Sequence, residues 1–488
     1  MASHDLADQN SRPDCSFSSS SKPHVVMLPF PMQGHITPLM QLSKLLATRG
    51  FDVSFVTSEY NVTKIVQAKQ GLTATHLSQL GIRLLGIADG LPETQPRDVT
   101  CDAAEFFESL LVLRTSFDEL VKTMLQEEGL CITCIISDSF LVWSQDVADK
   151  WGIPRVAFWP QSLTTFACSI SLPKIMADLD PFDHEVYRSE APRVLNCIPG
   201  LPDMDARKLP HFALGGEVSV NWLRQHLLQQ MERVNEPLGI ICNTFPNLEA
   251  EVLTHLKAPL LSKPIFTLGP LLPSAFLGGH DDKGTGSSLF DEDEECMQWL
   301  DTQCPRSVLY ISLGSFAVHN ERDVLEIAKG LEASNVPYLW VIRSVTYEQL
   351  TSPLLKAGQG KIVAWAPQLK VLSHEAVGGH LTHCGWNSTI ESISLGVPII
   401  GWPYMMEQIT NCWFLVEKLN IGLELKDDTS CKIGHVGVEK AIRILMQEEE
   451  GNLMRARAAN FSSMARHAFN TSFNSNLDSL VQTILHPK

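Results

Sequence analysis

The chain has no apolar run approaching the ~18 residues that a membrane-spanning helix needs, and its first 22 residues are polar and Ser-rich. A secretory leader would need a basic start followed by an apolar core, so segment 1–22 is expected to be a disordered tail. Positive charge is also scarce. With 38 Lys and Arg against 55 Asp and Glu, the formal net charge is −17. That balance argues against nucleic acid and anionic membrane surfaces as partners, because both are held through basic patches. The 12 cysteines lack the repeated spacings of a disulfide framework, which predicts reduced thiols in a cytoplasmic protein. No G-x-x-x-x-G-K-S/T loop is present, so any nucleotide phosphate must be held in another way.

What remains is an ordinary globular composition, 44% hydrophobic and 19% charged, in 488 residues. Single cores stop growing at about 250–300 residues, so two domains are expected. Short apolar runs at His24–Phe30, Asp52–Thr57, Ile82–Ile87, Cys131–Ser137 and Arg155–Trp159 alternate with helical periodicity, notably Thr37–Arg49 and Asp102–Glu128. This is the pattern of an α/β unit with a parallel sheet. From Pro173 to Leu214 the pattern breaks, as an excursion over an opening would. Residues 271–295, rich in Gly, Ser and Asp, have the composition of a linker, and Ser307–Ser315 opens a second alternating unit. The expected division is 1–22 tail, 23–270 first domain, 271–295 linker, 296–465 second domain and 466–488 C-terminal helix.

Ligands in parallel sheets sit beyond the carboxyl ends of the strands. His35 follows the first strand and Asp138 ends the fourth. A histidine titrates near neutrality and suits proton removal, and a neighbouring carboxylate could orient it. The second domain carries a denser constellation between Trp365 and Gln408. His380 to His383 reads as a buried strand, Cys384-Gly385 as a turn, and a helix opens near Trp386-Asn387-Ser388. Such a helix start carries unpaired N–H groups and roughly half a positive charge, so it can hold phosphate in an acidic protein. His383, Asn387 and Ser388 offer further donors, Glu391 can accept both hydroxyls of a ribose, and Trp365 with Gln368 offers a face and an amide for a flat base. Glu407 and Gln408 form an acid-amide pair suited to adjacent sugar hydroxyls. The cluster His374, His380, His383 and Cys384 contains zinc-ligand types, but its spacing is not that of a standard finger, and no metal is expected.

The stretch W-A-P-Q, H-C-G-W-N-S, the following Glu, G-V-P and the closing Glu-Gln together resemble the 44-residue signature box of plant-type UDP-dependent glycosyltransferases. PFPMQGH, SDSF, NTFPNLE and CMQWLDTQCPRSVLYISLGS extend the likeness from about His24 to the C-terminus. The resemblance implies the GT-B fold, two Rossmann-like domains facing each other across a cleft, with the last helix crossing back to the first domain. It implies that His35 is the base and Asp138 its partner. It places Trp365, Ala366 and Gln368 at the uridine, Glu391 at the ribose, and His383, Asn387 and Ser388 at the diphosphate. Trp386, Glu407 and Gln408 would face the transferred sugar, and Ser315, closing a strand at a glycine turn, would add a phosphate contact. The expected reaction is inverting transfer of a hexose, with UDP-glucose as co-substrate and no cofactor or metal. The acceptor would be a hydroxyl or carboxyl of a small lipophilic molecule such as a phenolic, flavonoid, terpenoid or hormone. Met32, Phe106, Phe107, Phe140, Trp143 and Phe158 are the candidate acceptor lining. Two alternatives stand beside this: a silent binding protein of the same fold, and a transferase using another nucleotide-linked group.

Overall fold

The chain was analysed as a computed structural model, which describes residues 22–487 except 68–73, 94, 96, 98–102, 179–192, 212–217, 257–259, 280–292, 294, 315–320, 344–347, 350, 352, 354–357 and 426–432. The expected tail, most of the linker, Ser315 and part of the 173–214 excursion lie outside these residues.

The apolar runs form two parallel sheets. In the first, β1 (His24–Leu28), β2 (Asp52–Ser58), β3 (Ile82–Ile87), β4 (Ile132–Asp138), β5 (Arg155–Trp159), β8 (Ile240–Cys242) and β9 (Ile265–Thr267) lie in the order β3-β2-β1-β4-β5-β8-β9. The short strands β6 (Val194–Leu195) and β7 (Met204–Asp205) pair antiparallel in the excursion. The second sheet contains β10 (Val308–Ser312), β11 (Tyr338–Val341), β12 (Gly360–Val363), β13 (Val377–Thr382), β14 (Ile399–Gly401) and β15 (Gly422–Glu424), ordered β12-β11-β10-β13-β14-β15. The chain reverses its direction of travel between β1 and β4 in one sheet and between β10 and β13 in the other. Such switch points open crevices at the strand ends.

Side-chain alternation divides the first domain's core. Val26 and Leu28 face the long helix Ala103–Gln126, meeting Leu110, Phe117 and Met124, whereas Val25 and Met27 face the opposite layer. That layer holds Ile36 and Leu39 together with Phe473, Leu477, Leu480 and Ile484 from the end of the chain. The C-terminal helix Asn474–Leu485 is thus part of the first domain's core, and Asn476 donates to the backbone oxygen of Thr267 on β9 at 3.0 Å.

Among the described residues no helix is long and apolar enough to cross a membrane. One expectation about cysteine is overturned: Cys131, just before β4, is disulfide-bonded. Spacing along the chain carries no information about which thiols the fold brings together. The other described cysteines are free.

Candidate active site

The first-domain half of the site is built at the β1/β4 switch point. The helix after β1 spans Gln33–Thr48, so His35 lies in its first turn and not in a loop before a helix starting at Thr37. Its start is fixed from outside, where buried Asn61 donates to the Pro31 carbonyl at 3.1 Å. Pro38 lies inside this helix. Lacking an N–H, it cannot donate to the carbonyl four residues earlier, which is that of Gly34. The freed carbonyl accepts a hydrogen bond from Asn387 Nδ2 of the second domain at 2.6 Å.

His35 Nδ1 is 2.7 Å from Asp138 Oδ2, and the histidine side chain is 19% exposed while that of Asp138 is fully buried. The carboxylate can only accept, so Nδ1 carries the proton and Nε2 is left with a free lone pair. Asp138 Oδ1 accepts from the Phe140 N–H at 2.9 Å, which occupies the second oxygen and fixes the rotamer. Two rings wall the imidazole, Phe30 at 5.1 Å and Phe140 edge-on at 5.7 Å. Phe106 meets Phe30 at 5.8 Å and Phe107 at 5.8 Å, and Met32 and Phe107 pack at the border of the same cluster. His226 stacks on Phe140, and its Nε2 donates to the Phe140 carbonyl. Burial holds the His226 pKa below its ordinary value. Nothing in the sequence singled His226 out, because it sits mid-helix without a motif.

Two candidate lining residues are placed differently. Phe158 is fully buried on the opposite face of the sheet with Val25, Met27 and Ile241, and its neighbour Trp159 takes the place beside Phe140 at 6.1 Å. Strand alternation puts consecutive residues on opposite faces, so only one of the two could line the site. Trp143 packs against Phe117 of the long helix at 6.0 Å and is nearly buried.

The second-domain half lies at the β10/β13 switch point. After β13, Cys384 takes a left-handed conformation with φ 63°, and the helix Trp386–Leu395 begins at once. The His383 ring is wedged between Gly314 and Gly385; a Cβ on either would come within 2.5 Å of it. Gln368 ties this half together, donating to Glu391 Oε2 at 2.7 Å and Ser388 Oγ at 3.0 Å while accepting from the Tyr310 hydroxyl at 3.2 Å. Burial pushes the Glu391 carboxyl up to about 7, with the Gln368 hydrogen bond opposing. His380 stacks on Tyr310 at 4.9 Å, and burial drives its pKa down to about 3, so the ring is neutral. Trp365 is half-buried, with the Arg343 guanidinium 6.0 Å from its ring centre, and Ala366 is buried beside it. Among the described residues no group of His, Cys, Asp or Glu is arranged to hold a metal ion.

Two residues of the closing part of the segment are held by protein contacts. The indole of Trp386 is buried, and its Nε1 donates to the Asn243 carbonyl of the first domain at 2.8 Å. Gln408 Oε1 accepts from the N–H groups of Tyr404 and Met405 at 2.9 and 3.0 Å, closing the loop after β14 and leaving only its amide nitrogen to donate. Glu407 accepts from Gln161 Nε2 of the first domain at 3.1 Å, and burial raises its pKa while His35 opposes the rise. The excursion also reaches across. Lys208 pairs with Glu424 at 2.7 Å, and its carbonyl accepts from Thr410 at 2.8 Å.

A carboxylate-held histidine thus lies beside a helix start of the second domain, to which the Asn387–Gly34 bond joins it. The family model for UDP-glucoronosyl and UDP-glucosyl transferase matches residues 39–460. The chain belongs to that family. This transferase is 34% identical to UDP-glycosyltransferase 85A2 of Arabidopsis thaliana, over 92% of its own length and 94% of that protein. It is 34% identical to (R)-mandelonitrile beta-glucosyltransferase of Prunus dulcis, over 92% and 94% of the two chains. Among solved structures it resembles Phytolacca americana UGT2 complexed with UDP-2fluoro-glucose and pterostilbene. The TM-score is 0.75 at 27% identity, covering 95% of this chain and 99% of that one. The transferase has the GT-B fold, and it is a UDP-glycosyltransferase acting on small molecules.

Proposed function

We propose that this enzyme transfers glucose from UDP-glucose to a hydroxyl of a small apolar acceptor, with inversion at the anomeric carbon. The observation that carries the reading is the 2.7 Å bond between His35 Nδ1 and buried Asp138, which leaves Nε2 as the proton acceptor beside an aromatic wall. The acceptor O–H loses its proton to Nε2 as its oxygen bonds the anomeric carbon, and the bond from that carbon to the diphosphate breaks on the opposite face. Asp138 stabilises the imidazolium that forms. The helix start at Trp386, with His383, Asn387 and Ser388, receives the departing charge without a metal. Trp365, Ala366 and Gln368 take the uridine and Glu391 the ribose. Glucose is favoured by Glu407, a hydrogen-bond acceptor, and by the amide nitrogen of Gln408, a donor. These two groups can read neighbouring hydroxyls whose orientation differs among epimers. Several similar proteins are named glucosyltransferases, which supports the same sugar.

Phe30, Phe106 and Phe140 favour aromatic and terpenoid acceptors over charged ones. The test is kcat/KM for UDP-glucose, UDP-galactose, UDP-xylose and UDP-glucuronate with phenolic and terpenoid alcohols, read by mass gain of the glycoside. UDP-glucose is expected to lead. Preference for another donor would refute the glucose assignment, and UDP release without any glycoside would refute the transfer.

A further inference from the structure

We propose that Arg155 is a positioning residue for the His35–Asp138 pair: its buried guanidinium, set behind Asp138, keeps that carboxylate ionised and His35 unprotonated. The proposal rests on the reading of His35 as the base.

Arg155 opens β5, beside β4, and is only 6% exposed. Its Nε donates to Ser137 Oγ at 2.6 Å, Nη1 to Gln145 Oε1 at 3.4 Å and Nη2 to the Asp138 backbone carbonyl at 3.5 Å. All three partners are neutral. A buried cation with no carboxylate in contact is costly and persists only where its surroundings compensate. Two features do so here. Asp138 attracts the guanidinium through space, and the pocket around Arg155 contains Ser139 Oγ and both ends of the Gln230 amide, buried and without a protein partner. These atoms give water a polar lining against the guanidinium. Burial brings the Arg155 pKa down to about 10, with Asp138 opposing, so the group is still a cation at neutral pH.

The charges around His35 show what this cation does. Two carboxylates act on His35, Asp138 in contact at 2.7 Å and Glu407 of the second domain through space. Both stabilise imidazolium, and a base already protonated cannot take the acceptor proton. His226, which also interacts with Asp138, has its pKa lowered by burial and contributes no compensating charge at neutral pH. Arg155 supplies the opposing positive charge from behind β4. Arg233 lies on the same side of Arg155, paired with Asp146 at 2.8 Å and Glu236 at 2.6 Å, so its charge is locally neutralised.

A purely structural peg joining β4 to β5 would also explain the bond to Ser137, and pH separates the two roles. The measurement is kcat/KM for a phenolic acceptor at saturating UDP-glucose, from pH 5.5 to 9, for the parent, Arg155→Lys and Arg155→Met. Removing the cation raises the apparent pKa of the coupled pair, so the acid limb of Arg155→Met should move up by roughly one pH unit. Its activity loss, about tenfold near pH 6.5, should disappear by pH 8.5, while Arg155→Lys keeps the parental limb and UDP affinity is unchanged in both. If Arg155→Met does not fold, Arg155→Gln, which retains a donor for Ser137, carries the same expected displacement. A uniform loss across pH with the limb in place would overturn the proposal, as would equal displacement in the Lys variant. Failure of the dyad reading would be recognised separately, by a parent without an acid limb or by parental activity in His35→Ala.

Discussion

Glu391 converts burial into a measurable pH dependence of donor binding. Its carboxyl, proposed to take the ribose, has a pKa pushed up to about 7, against an ordinary 4.5, chiefly by loss of solvent. If the ionised form accepts the ribose hydroxyls, the group must be deprotonated to bind, and affinity falls as pH drops through 7. About 90% of the empty enzyme is competent at pH 8 and about 10% at pH 6, so the apparent Kd should rise about tenfold, or ~1.4 kcal/mol. Calorimetric titration with UDP-glucose and no acceptor measures this; UDP itself is less suitable, because a terminal phosphate also titrates near 6. Glu391→Gln removes the titration and should give a flat profile, about tenfold weaker than the parent at pH 8 and close to it at pH 6. A parent profile that is level between pH 6 and 8 would refute the argument, since the ribose would then be held without this carboxylate.

Replacing His35 by Ala should reduce turnover by about 10² to 10⁴ with UDP affinity nearly unchanged; parental activity with the same acceptor would remove it as base. Asp138→Asn should fold and lose less, because the amide can still orient the ring but cannot offset its charge, and equal rates would exclude Asp138 from the mechanism. Activity should survive EDTA, since a helix start and side-chain donors are assigned to the diphosphate; loss on chelation with recovery on Mg²⁺ or Mn²⁺ would reassign leaving-group stabilisation.

The legible parts of the sequence were those where local pattern and tertiary role coincide. The runs at His24 and Ile132 could only be doubly buried strands, and the residues following such strands were expected at the crevice, where His35 and Asp138 meet. The helix at Trp386 was equally evident from its glycine turn. Errors arose where long-range contacts decide. Composition marked Phe158 as a lining candidate, but strand parity sent it to the opposite core and set fully buried Trp159 behind Phe140. The helix was expected from Thr37, but it begins at Gln33 and holds Pro38 in its interior. The contacts of Trp386 Nε1 with the first domain and of the Gln408 amide oxygen with a local loop were likewise invisible in the segment's own pattern. Arg155 drew no notice in a strand, since a charge there gains meaning only from what stands behind it.

The bond from Asn387 to the Gly34 carbonyl bears on how such an enzyme can change its acceptor. A backbone carbonyl cannot be altered by substituting its own residue's side chain, and here proline has withdrawn it from the helix and left it available to the other domain. On the His35 side the link between the proposed base and the helix start at Trp386 therefore uses the main chain, and only Asn387 contributes a side chain to it, while Phe30, Phe106 and Phe140 wall the proposed acceptor space through side chains alone. Pocket shape can drift through these rings without resetting the alignment of nucleophile and leaving group. On the proposed roles, acceptor choice and the link between base and helix start rest on different residues, so a change in one need not disturb the other.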